Sequence, residues 1–272
     1  MTHRRAVYLG PPGTFSHEAA VQFFQSGFEL VPGRTAKEVI RFYREEKANQ
    51  AILAIDSSIG GTVAENLDEI AELDPVRIIG ETMVAVHHQL VARPGASIRA
   101  IKTVLSHPKA FEECTVWLAQ NLPDTLRIPV SSSAAAAQKV SADPSGETAA
   151  IASKTAADLY RMKILAAHIE SSPLNTTRFW IFGREISPET EHDKTTLLIL
   201  GNLNAVLSRL VKAKIPILSI YERPSGEKIE AHVYFLDIEG HGQKPPLSHL
   251  LHHFPEGRWL GSYPMCGDPP KP

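Results

Sequence analysis

Five clusters of small polar residues follow predicted strands, where a chain can present hydroxyls and backbone amides to a ligand. They are Gly10-Pro11-Pro12-Gly13-Thr14-Phe15-Ser16, Asp56-Ser57-Ser58-Ile59-Gly60-Gly61-Thr62, Ser106-His107-Pro108, Ser131-Ser132-Ser133 and Asn175-Thr176-Thr177-Arg178-Phe179. The first four also stand where helices begin, so each alone is typical of a helix cap. Four helix starts that converge on one cleft would attract an anion, because amides at helix N-termini carry partial positive charge.

The fifth cluster contains an arginine between a hydroxyl and an aromatic ring. The Arg178 guanidinium could hold a carboxylate through two parallel hydrogen bonds. Taken alone, a surface arginine at the start of a strand is the preferred interpretation.

Other catalytic chemistries have weaker support. Cys114 shares a predicted helix face with Phe111 and Leu118, which favours a buried structural thiol over a nucleophile. His87 and His88 are adjacent in a β-type stretch, so their rings point to opposite faces and chelate poorly. The dinucleotide, P-loop and zinc-protease motifs are missing from the sequence, which therefore predicts no metal centre.

The first 185 residues alternate strands and helices, a pattern typical of α/β layers with parallel sheets and a ligand at the carboxyl ends of the strands. The predicted strands are Ala6–Leu9, Ala51–Ile55, Val76–Ala92, Thr103–Leu105, Leu126–Val130 and Ala149–Ala152. The predicted helices are Thr14–Phe24 with Ser16 as N-cap, Thr35–Glu46, Thr62–Leu73, Pro108–Gln120, Ser133–Ala142 and Lys154–Tyr160.

The pattern changes at the polar stretch Ile186–Asp193, which is typical of a linker. The remaining segments read in the order βαββαβ, which packs two helices on an antiparallel sheet and is common in ligand-sensing modules. They are strands Thr195–Leu200, Ile217–Arg223, Glu230–Ile238 and Arg258–Tyr263, and helices Leu203–Ala213 and Pro246–His253.

Composition excludes several classes of protein. The chain has 272 residues, 43% of them hydrophobic and 21% charged, values that fit a folded protein of two domains. A net charge of -2 gives no electrostatic case for binding nucleic acid or an anionic membrane. Two distant cysteines exclude a disulfide scaffold and indicate a reducing cytoplasm, and the longest apolar runs are too short to cross a bilayer.

Taken together in order, the clusters resemble the prephenate dehydratase family. The resemblance rests on the segments YLGPPGTFSHEAA, LSHPKAFEEC, VSSSAAAAQKV, AAIASKTAADLY and LNTTRFWIFG. The last resembles the Thr-Arg-Phe signature, the most diagnostic piece. The stretch from Thr195 to Pro264, with FLDIEGH and WLGSYP, resembles the regulatory ACT domain fused to many dehydratases.

The resemblance implies a two-lobed catalytic region of the periplasmic-binding-protein-like type II fold, with prephenate between the lobes. This α/β region would span residues 1–185, with one lobe of about 1–82 plus 172–185 and the other of 83–171. A linker at 186–193 would then lead to a ferredoxin-like ACT domain at 194–272.

The resemblance also implies residue roles. Thr177 would be the catalytic residue, aided by Arg178 and Phe179. The residues expected to bind substrate are Thr14, Phe15, Ser16, Asp56, Ser57, Ser58, Gly61, Ser106, His107, Ser132, Ser133 and Thr176. The residues expected to form a regulatory phenylalanine site are Asn204, Ala205, Val206, Leu207, Tyr221, Glu222, Arg223 and Pro224.

The implied reaction removes carbon dioxide and water from prephenate and gives phenylpyruvate. A threonine hydroxyl in a dry cleft can hydrogen-bond the departing ring hydroxyl, while amides and an arginine hold the two carboxylates. No metal or organic cofactor is needed. The apolar strand segments Ile217–Ile220 and Val233–Leu236 suggest edges that a second chain covers, so a homodimer or homotetramer is expected.

Two departures from the family pattern leave alternatives open. Ala54-Ile55-Asp56-Ser57-Ser58 stands where the family usually has Pro-x-Glu-Asn-Ser, and Asn204 and Tyr221 replace a glycine and a glutamate of the phenylalanine site. The alternatives are an arogenate dehydratase, a prephenate decarboxylase that does not aromatise the ring, and a non-catalytic amino-acid sensor. L-Phenylalanine as effector is accordingly one outcome, and the others are feedback that is weakened, absent or redirected to another ligand.

Overall fold

The computed structural model describes residues 4–226 and 231–267 of the chain. Residues 1–3 and 268–272 of the predicted domains, and the predicted strand start at Glu230, lie outside these ranges. Within the described ranges the chain forms three β-sheets with helices packed against them. No helix among those residues is long and apolar enough to span a membrane.

The elements follow one another in three groups along the chain. The first group is β1 (Arg5–Leu9), α1 (Phe15–Phe24), β2 (Glu29–Gly33), α2 (Ala36–Arg44), β3 (Gln50–Ser57), β4 (Gly61–Thr62), α3 (Ala64–Ala71) and β5 (Ile78–Ala85). The second is β6 (Gln89–Ala92), β7 (Thr103–Ser106), α4 (Pro108–Glu113), α5 (Thr115–Asn121), β8 (Leu126–Pro129), α6 (Ser133–Ala142), β9 (Thr148–Ala152), α7 (Lys154–Leu159), β10 (Lys163–Ala166) and β11 (Thr176–Phe182). The third is β12 (Asp193–Ile199), α8 (Leu203–Lys212), β13 (Ile217–Pro224), β14 (His232–Glu239), α9 (Leu247–His252) and β15 (Gly257–Pro264).

Two lobes are built on the first two sheets. The first sheet has the strand order β2-β1-β3-β11-β5 with β4 paired to β3, and the second has the order β10-β6-β9-β7-β8. The chain crosses between the lobes twice, from β5 to β6 and again from β10 to β11. The predicted two-lobed α/β architecture is therefore confirmed.

The sheets are mixed, so the prediction of parallel sheets is only partly right. β1 runs parallel to β2 and β3, but β11 runs antiparallel to β3 and β5, and β6 runs antiparallel to β9 and β10. The exceptions follow from the two crossings, because a strand that returns from the other lobe enters its sheet from the opposite end.

Helix starts differ from prediction at two places in the first lobe. Thr14 caps α1 instead of Ser16, since its Oγ1 accepts a hydrogen bond from the His17 amide at 3.2 Å. α3 begins only after Val63, because Thr62 pairs with Asp56 in the short strand β4.

Two long predicted elements are each divided. The predicted helix Pro108–Gln120 breaks at Cys114 into α4 and α5. The predicted strand Val76–Ala92 breaks into β5 and β6, and the first lobe extends to Ala85, slightly beyond the predicted boundary at residue 82. Cys114 itself is fully buried as predicted, and burial raises the pKa of its thiol, which makes it a poor nucleophile.

The C-terminal domain has the predicted βαββαβ order, with an antiparallel sheet of strand order β13-β14-β12-β15. Strand β15 lies against β5 of the first lobe. The contact is close at Gly261, where an added Cβ would lie 2.0 Å from the Ile78 carbonyl oxygen. Trp180 of β11 packs in one buried cluster with Phe235 and Tyr263, so the first lobe and the C-terminal domain share a core.

Candidate functional site

A cleft of about 650 Å³ lies between the two lobes, at the ends of β1, β3 and β11. The residues lining it that the sequence predicted are Thr14, Phe15, Ser16, Ser57, Gly61, His107, Ser132, Ser133 and Thr177. Further members of the predicted polar clusters that line it are Gly10, Gly13, Gly60, Thr62, Ser131 and Asn175. The lining residues that the sequence did not predict are Leu9, Arg34, Val63, Val86, His88, Lys109, Ala110, Glu113 and Ser153. The structure thus brings residues from all five polar clusters into one cleft.

The start of α1 forms one wall of the cleft. The Thr14 hydroxyl lies 3.1 Å from the carbonyl oxygens of both Leu9 and Pro11, so it shapes the turn. The next two amides, of Phe15 and Ser16, belong to the first turn of a helix and have no intrahelical partner. The wall therefore offers backbone N–H groups and a helix N-terminus to an anion.

The start of α6 forms the opposite wall. The Ser132 hydroxyl accepts a hydrogen bond from the Ala135 amide at 3.0 Å and caps the helix. Ser106 was predicted to bind substrate, but its hydroxyl is fully buried and donates to the Ile151 carbonyl at 2.8 Å, with Ser133 at 3.3 Å. Ser106 therefore contacts the Ser133 hydroxyl from the buried side of this wall and does not itself line the cleft.

Hydrogen bonds join the two lobes. Ser153 caps α7 in the second lobe and donates to the Gly13 carbonyl of the first lobe at 2.8 Å. Thr155 of α7 donates to Glu18 of α1 at 3.0 Å. These contacts hold the lobes together at the edge of the cleft.

The floor of the cleft contains Thr177, which pairs in register with Ser57 of β3. Alternate residues of a strand face opposite sides of the sheet. Thr177 and Ser57 line the cleft, and the next pair in the register, Arg178 and Asp56, does not.

Arg178 is the largest correction to the sequence prediction, because its guanidinium lies in a buried network outside the cleft. Its Nε donates to Glu81 at 2.7 Å and its Nη1 donates to Asp237 at 2.6 Å. It also donates to the hydroxyls of Tyr221 at 2.9 Å and Tyr263 at 3.3 Å. Burial alone would lower the pKa of Arg178, but Tyr263, Asp237 and Glu81 raise it. The side chain joins the first lobe to the C-terminal domain, and its donors are engaged there.

Four other predicted residues also lie outside the cleft lining. Phe179 is 1% exposed and packs in the core behind α1. Asp56 lies on the face of the sheet near Tyr221. Burial raises the pKa of Tyr221, and the negative charge of Asp56 also raises it. Ser58 and Thr176 hold the chain between strands, since the Ser58 hydroxyl donates to the Leu174 carbonyl at 2.6 Å and accepts from the Thr176 amide at 2.9 Å.

A buried polar group lies beside Thr177, and two of its three residues, Glu113 and His88, were not predicted from the sequence. Glu113 Oε2 is 2.7 Å from His88 Nε2 and accepts from Asn175 Nδ2 at 2.8 Å. His88 Nδ1 and Asn175 Oδ1 are buried and have no protein partner among the described residues. All three residues line the cleft, so they can offer unused hydrogen-bonding atoms to a polar ligand.

The cations of the cleft were missed as well. Arg34 follows β2, and Lys109 lies in the first turn of α4 after the capping residue His107. Neither stands in a recognisable motif, and what brings them to the cleft is the tertiary fold. Together with the starts of α1 and α6 they make the cleft suitable for a small ligand with two carboxylates.

The residues predicted to form a regulatory site are dispersed. Asn204 and Pro224 line a groove between α3 and the C-terminal domain. Arg223 forms a two-bonded ion pair with Asp68 at 2.7 and 2.9 Å, and Tyr221 bonds to Arg178. Val206 and Leu207 pack in the domain core, Ala205 donates its amide to Asn202, and Glu222 lies exposed near His232.

One group of metal-ligating side chains lies outside the cleft, among the residues that the structure describes. His87, His168 and Glu170 meet where the chain crosses between the lobes. His87 and His88 do turn to different partners, as predicted, but a distant segment supplies His87 with two further ligand atoms.

Comparison with known proteins gives one consistent result. The family model described as prephenate dehydratase matches residues 6–187. A bifunctional chorismate mutase/prephenate dehydratase of Neisseria gonorrhoeae is 32% identical, over 96% of this chain and 74% of the relative. A prephenate dehydratase of Amycolatopsis methanolica is 31% identical, over 95% of this chain and 88% of the relative.

Solved structures share the fold over nearly the whole chain. A prephenate dehydratase of Arthrobacter aurescens in complex with L-Phe has a TM-score of 0.87 and 29% identity, and the match covers 96% of this chain and 90% of that one. A protein described as GqqA, a novel type of quorum quenching acylase, has a TM-score of 0.84 and 27% identity, covering 97% of this chain and 98% of that one.

Proposed function

The chain belongs to the prephenate dehydratase family, and on that premise we propose that it converts prephenate to phenylpyruvate, carbon dioxide and water. One observation carries the proposal. Thr177, two helix N-termini and the cations Arg34 and Lys109 converge on a cleft of about 650 Å³. This combination matches a ligand with two carboxylates and a ring hydroxyl that must depart.

Binding in this proposal uses the walls of the cleft. The amides that begin α1 and α6, with Arg34 and Lys109, hold the two carboxylates of prephenate. Arg178 has no part in this, since its donors are engaged with Glu81, Asp237 and two tyrosines. Its role is to position β11, the strand that carries Thr177.

The reaction breaks two bonds and keeps its electrons within the substrate. The bond from the ring to its carboxylate breaks and releases carbon dioxide, and that electron pair completes the aromatic ring. The ring hydroxyl departs with the electron pair of its carbon–oxygen bond as hydroxide, and one proton taken up from the solvent converts it to water. The Thr177 hydroxyl donates a hydrogen bond to the departing oxygen as negative charge develops on it.

Asn175 supplies a second polar contact in the proposed site. Its Nδ2 is fixed on Glu113 at 2.8 Å, which orients the unpartnered Oδ1. A buried acceptor without a partner is costly, so a substrate hydroxyl that donates to it is bound favourably. We therefore expect Asn175 to contribute to the choice of a hydroxylated ring.

The test is turnover of prephenate by the full-length protein, followed by the absorbance of phenylpyruvate in base. Thr177→Ala should lower kcat by about 10²- to 10³-fold, the loss that follows removal of one transition-state donor. Thr177→Ser keeps the hydroxyl and should retain most of the activity, and Thr176→Ala on the same strand is the control. A wild-type rate no higher than that of Thr177→Ala would refute the proposal.

The likeness to a protein described as a quorum quenching acylase gives a second candidate, hydrolysis of an acyl amide. The cleft contains hydroxyls and His88, the residue types such chemistry uses. Assays of prephenate, arogenate and an acyl amide with the same preparation separate the candidates. The mass of the prephenate product shows in addition whether the ring oxygen is lost.

Regulation and assembly form the finer part of the proposal. We propose that the C-terminal domain is an ACT domain, that L-phenylalanine is its effector, and that chains pair through it as a homodimer or homotetramer. The Arthrobacter relative was solved with L-Phe, and the groove lined by Asn204 and Pro224 adjoins the first lobe. We place the enzyme in the cytoplasm, where its free thiols Cys114 and Cys266 would stay reduced. Turnover measured with and without phenylalanine tests the regulatory part.

A further inference from the structure

Three side chains meet on the two segments that connect the lobes, outside the cleft. His87 lies on the first crossing, between β5 and β6, and His168 and Glu170 lie on the second, between β10 and β11. His87 Nδ1 is 2.8 Å from Glu170 Oε1 and 3.1 Å from His168 Nδ1. His168 Nδ1 is 3.6 Å from the same carboxylate oxygen.

His87 Nδ1 makes both short contacts, and a ring nitrogen is either a donor or an acceptor, never both at once. If it donates to Glu170, it can bond to His168 only by sharing the same proton in a three-centre bond. If it accepts from His168, two lone pairs face each other across the 2.8 Å contact with Glu170. An ion that accepts a lone pair from all three atoms satisfies both contacts at once.

We propose that His87, His168 and Glu170 bind one divalent transition-metal ion, with Zn²⁺ as the best match to the ligand set. Two imidazoles and one carboxylate form a recognised zinc set that leaves a fourth position open. The same set also accommodates Co²⁺ and Ni²⁺.

The spacing of the three atoms leaves room for such an ion within bonding distance of each. Atoms 2.8, 3.1 and 3.6 Å apart lie on a circle with a radius of about 1.9 Å. An ion about 1 Å above their plane would lie about 2.1 Å from each, the usual length of Zn–N and Zn–O bonds. Its fourth tetrahedral position would then point away from the plane toward a water molecule.

The residues around Glu170 and His168 favour metal binding by these side chains. The Glu170 side chain is 3% exposed, and its second oxygen accepts from the His88 amide at 2.8 Å, which fixes the carboxylate. His168 has a φ of 52°, an uncommon conformation for a residue with a side chain. Its side chain is 56% exposed, which gives an ion access from solvent. One ligand is thus rigid and buried, and another is accessible.

The bound ion would link the two crossings between the lobes. Both crossings must bend when the lobes open, because no other segment of the described chain passes between the first two sheets. Coordination of His87 together with His168 and Glu170 restrains that bending. It also holds the adjacent His88, whose ring lines the cleft, in one orientation. The ion is therefore a structural restraint on the hinge.

The test measures binding of Zn²⁺ to the metal-free full-length protein by calorimetry, and of Co²⁺ by visible absorption. We expect one site per chain and a Co²⁺ spectrum of tetrahedral intensity. His168→Asn removes the imidazole but tolerates the positive φ, since Asn adopts this conformation more readily than most residues. It should weaken binding by at least about 10-fold, the lower loss found even for outer-shell changes.

Two further variants keep the result interpretable. Glu170→Gln removes the carboxylate charge and should weaken binding as well, and His192→Ala removes an exposed histidine elsewhere and should leave the site unchanged. Circular dichroism establishes that each variant is folded. Absence of stoichiometric binding, or binding that His168→Asn and Glu170→Gln leave unaltered, would overturn the proposal and leave the cluster as a hydrogen-bonded chain.

Discussion

Thr177 and Arg178 are consecutive residues of β11, yet their side chains serve opposite faces of the sheet. Thr177 lines the cleft between the lobes, and Arg178 bonds to Glu81 and Asp237 in the interface with the C-terminal domain. A single peptide bond joins these two residues. A shift of Arg178 toward the C-terminal domain therefore moves the backbone that carries Thr177.

The interface around Arg178 contains further charged and hydroxyl groups. Lys194 lies 3.1 Å from Glu81, and Thr196 donates to Asp237 at 2.6 Å. Both carboxylates are fully buried at their side chains, so they depend on these partners. If the proposed effector binds to the C-terminal domain, this network connects its sheet to the strand that carries Thr177.

Replacement of Arg178 should destabilise the protein strongly. Arg178→Ala leaves two buried carboxylates with fewer partners, and breaking a buried pair in this way costs about 3–5 kcal/mol. The expected result is a lower urea concentration at the unfolding midpoint. Arg178→Lys should recover only part of the loss, because an ammonium cannot reproduce the guanidinium geometry.

The control variant breaks an ion pair that is exposed to solvent. Lys154 and Asp158 of α7 are 2.6 Å apart, with side chains 69% and 65% exposed. Lys154→Ala should change stability by no more than about 1 kcal/mol. Equal effects of Arg178→Ala and Lys154→Ala would mean that the interface network is not stabilising.

The sequence predicted those parts of the site that local patterns determine. Capping hydroxyls such as Ser132 lie in the cleft because cap rules place them where a helix follows a strand, whereas Thr177 was expected there from the resemblance of its segment to the family signature. The expectation that Arg178 aids Thr177 in the cleft does not match the position of its side chain, which depends on the register of β11 and on a domain that covers the other face of the sheet. His88 and Arg34 were missed because no motif marks them and only long-range packing brings them to the cleft.

The cations of the cleft should contribute to binding more than to the chemical step. Arg34 and Lys109 are exposed, so solvent screens them, and Arg34→Ala or Lys109→Ala should raise KM by about 5- to 10-fold with little change in kcat. The effect should shrink at high salt. Lys102→Ala, which removes a 71% exposed charge paired to Glu147, is the control. An equal rise in KM for all three variants would indicate that the net charge of the protein, and not local contacts in the cleft, determines substrate binding.

A lower pH should destabilise the turn before α1, because this turn depends on unprotonated His17. Its Nδ1 accepts from the Gly13 amide at 3.1 Å, so this nitrogen must be unprotonated. Burial lowers the pKa of His17 below its ordinary 6.5. The unfolded chain therefore binds the proton first as pH falls, and the stability present above about pH 6.5 is lost as pH falls through the lower folded value.

Thermal unfolding measured at several pH values checks this expectation. His17→Asn keeps an acceptor atom near the position of Nδ1 but does not titrate in this range. The variant should lose less stability than the wild type between about pH 7.5 and about pH 5.5. Parallel pH profiles for the two proteins would show that His17 is not responsible.

Pairing of chains should depend on strand β13, which lies at the edge of the third sheet. Ile217, Leu218 and Ile220 on this strand are 36%, 43% and 46% exposed. An exposed apolar edge strand is prone to pair with another chain, and lysine on the edge prevents it. Sedimentation at micromolar concentration should show a dimer or larger assembly for the wild type and a monomer for the double variant Leu218→Lys/Ile220→Lys. Val116→Lys, at a 55% exposed position on α5 in the second lobe, should leave the assembly intact. A monomeric wild type would refute the proposed pairing, and a double variant that sediments with an assembled wild type would place the contact elsewhere.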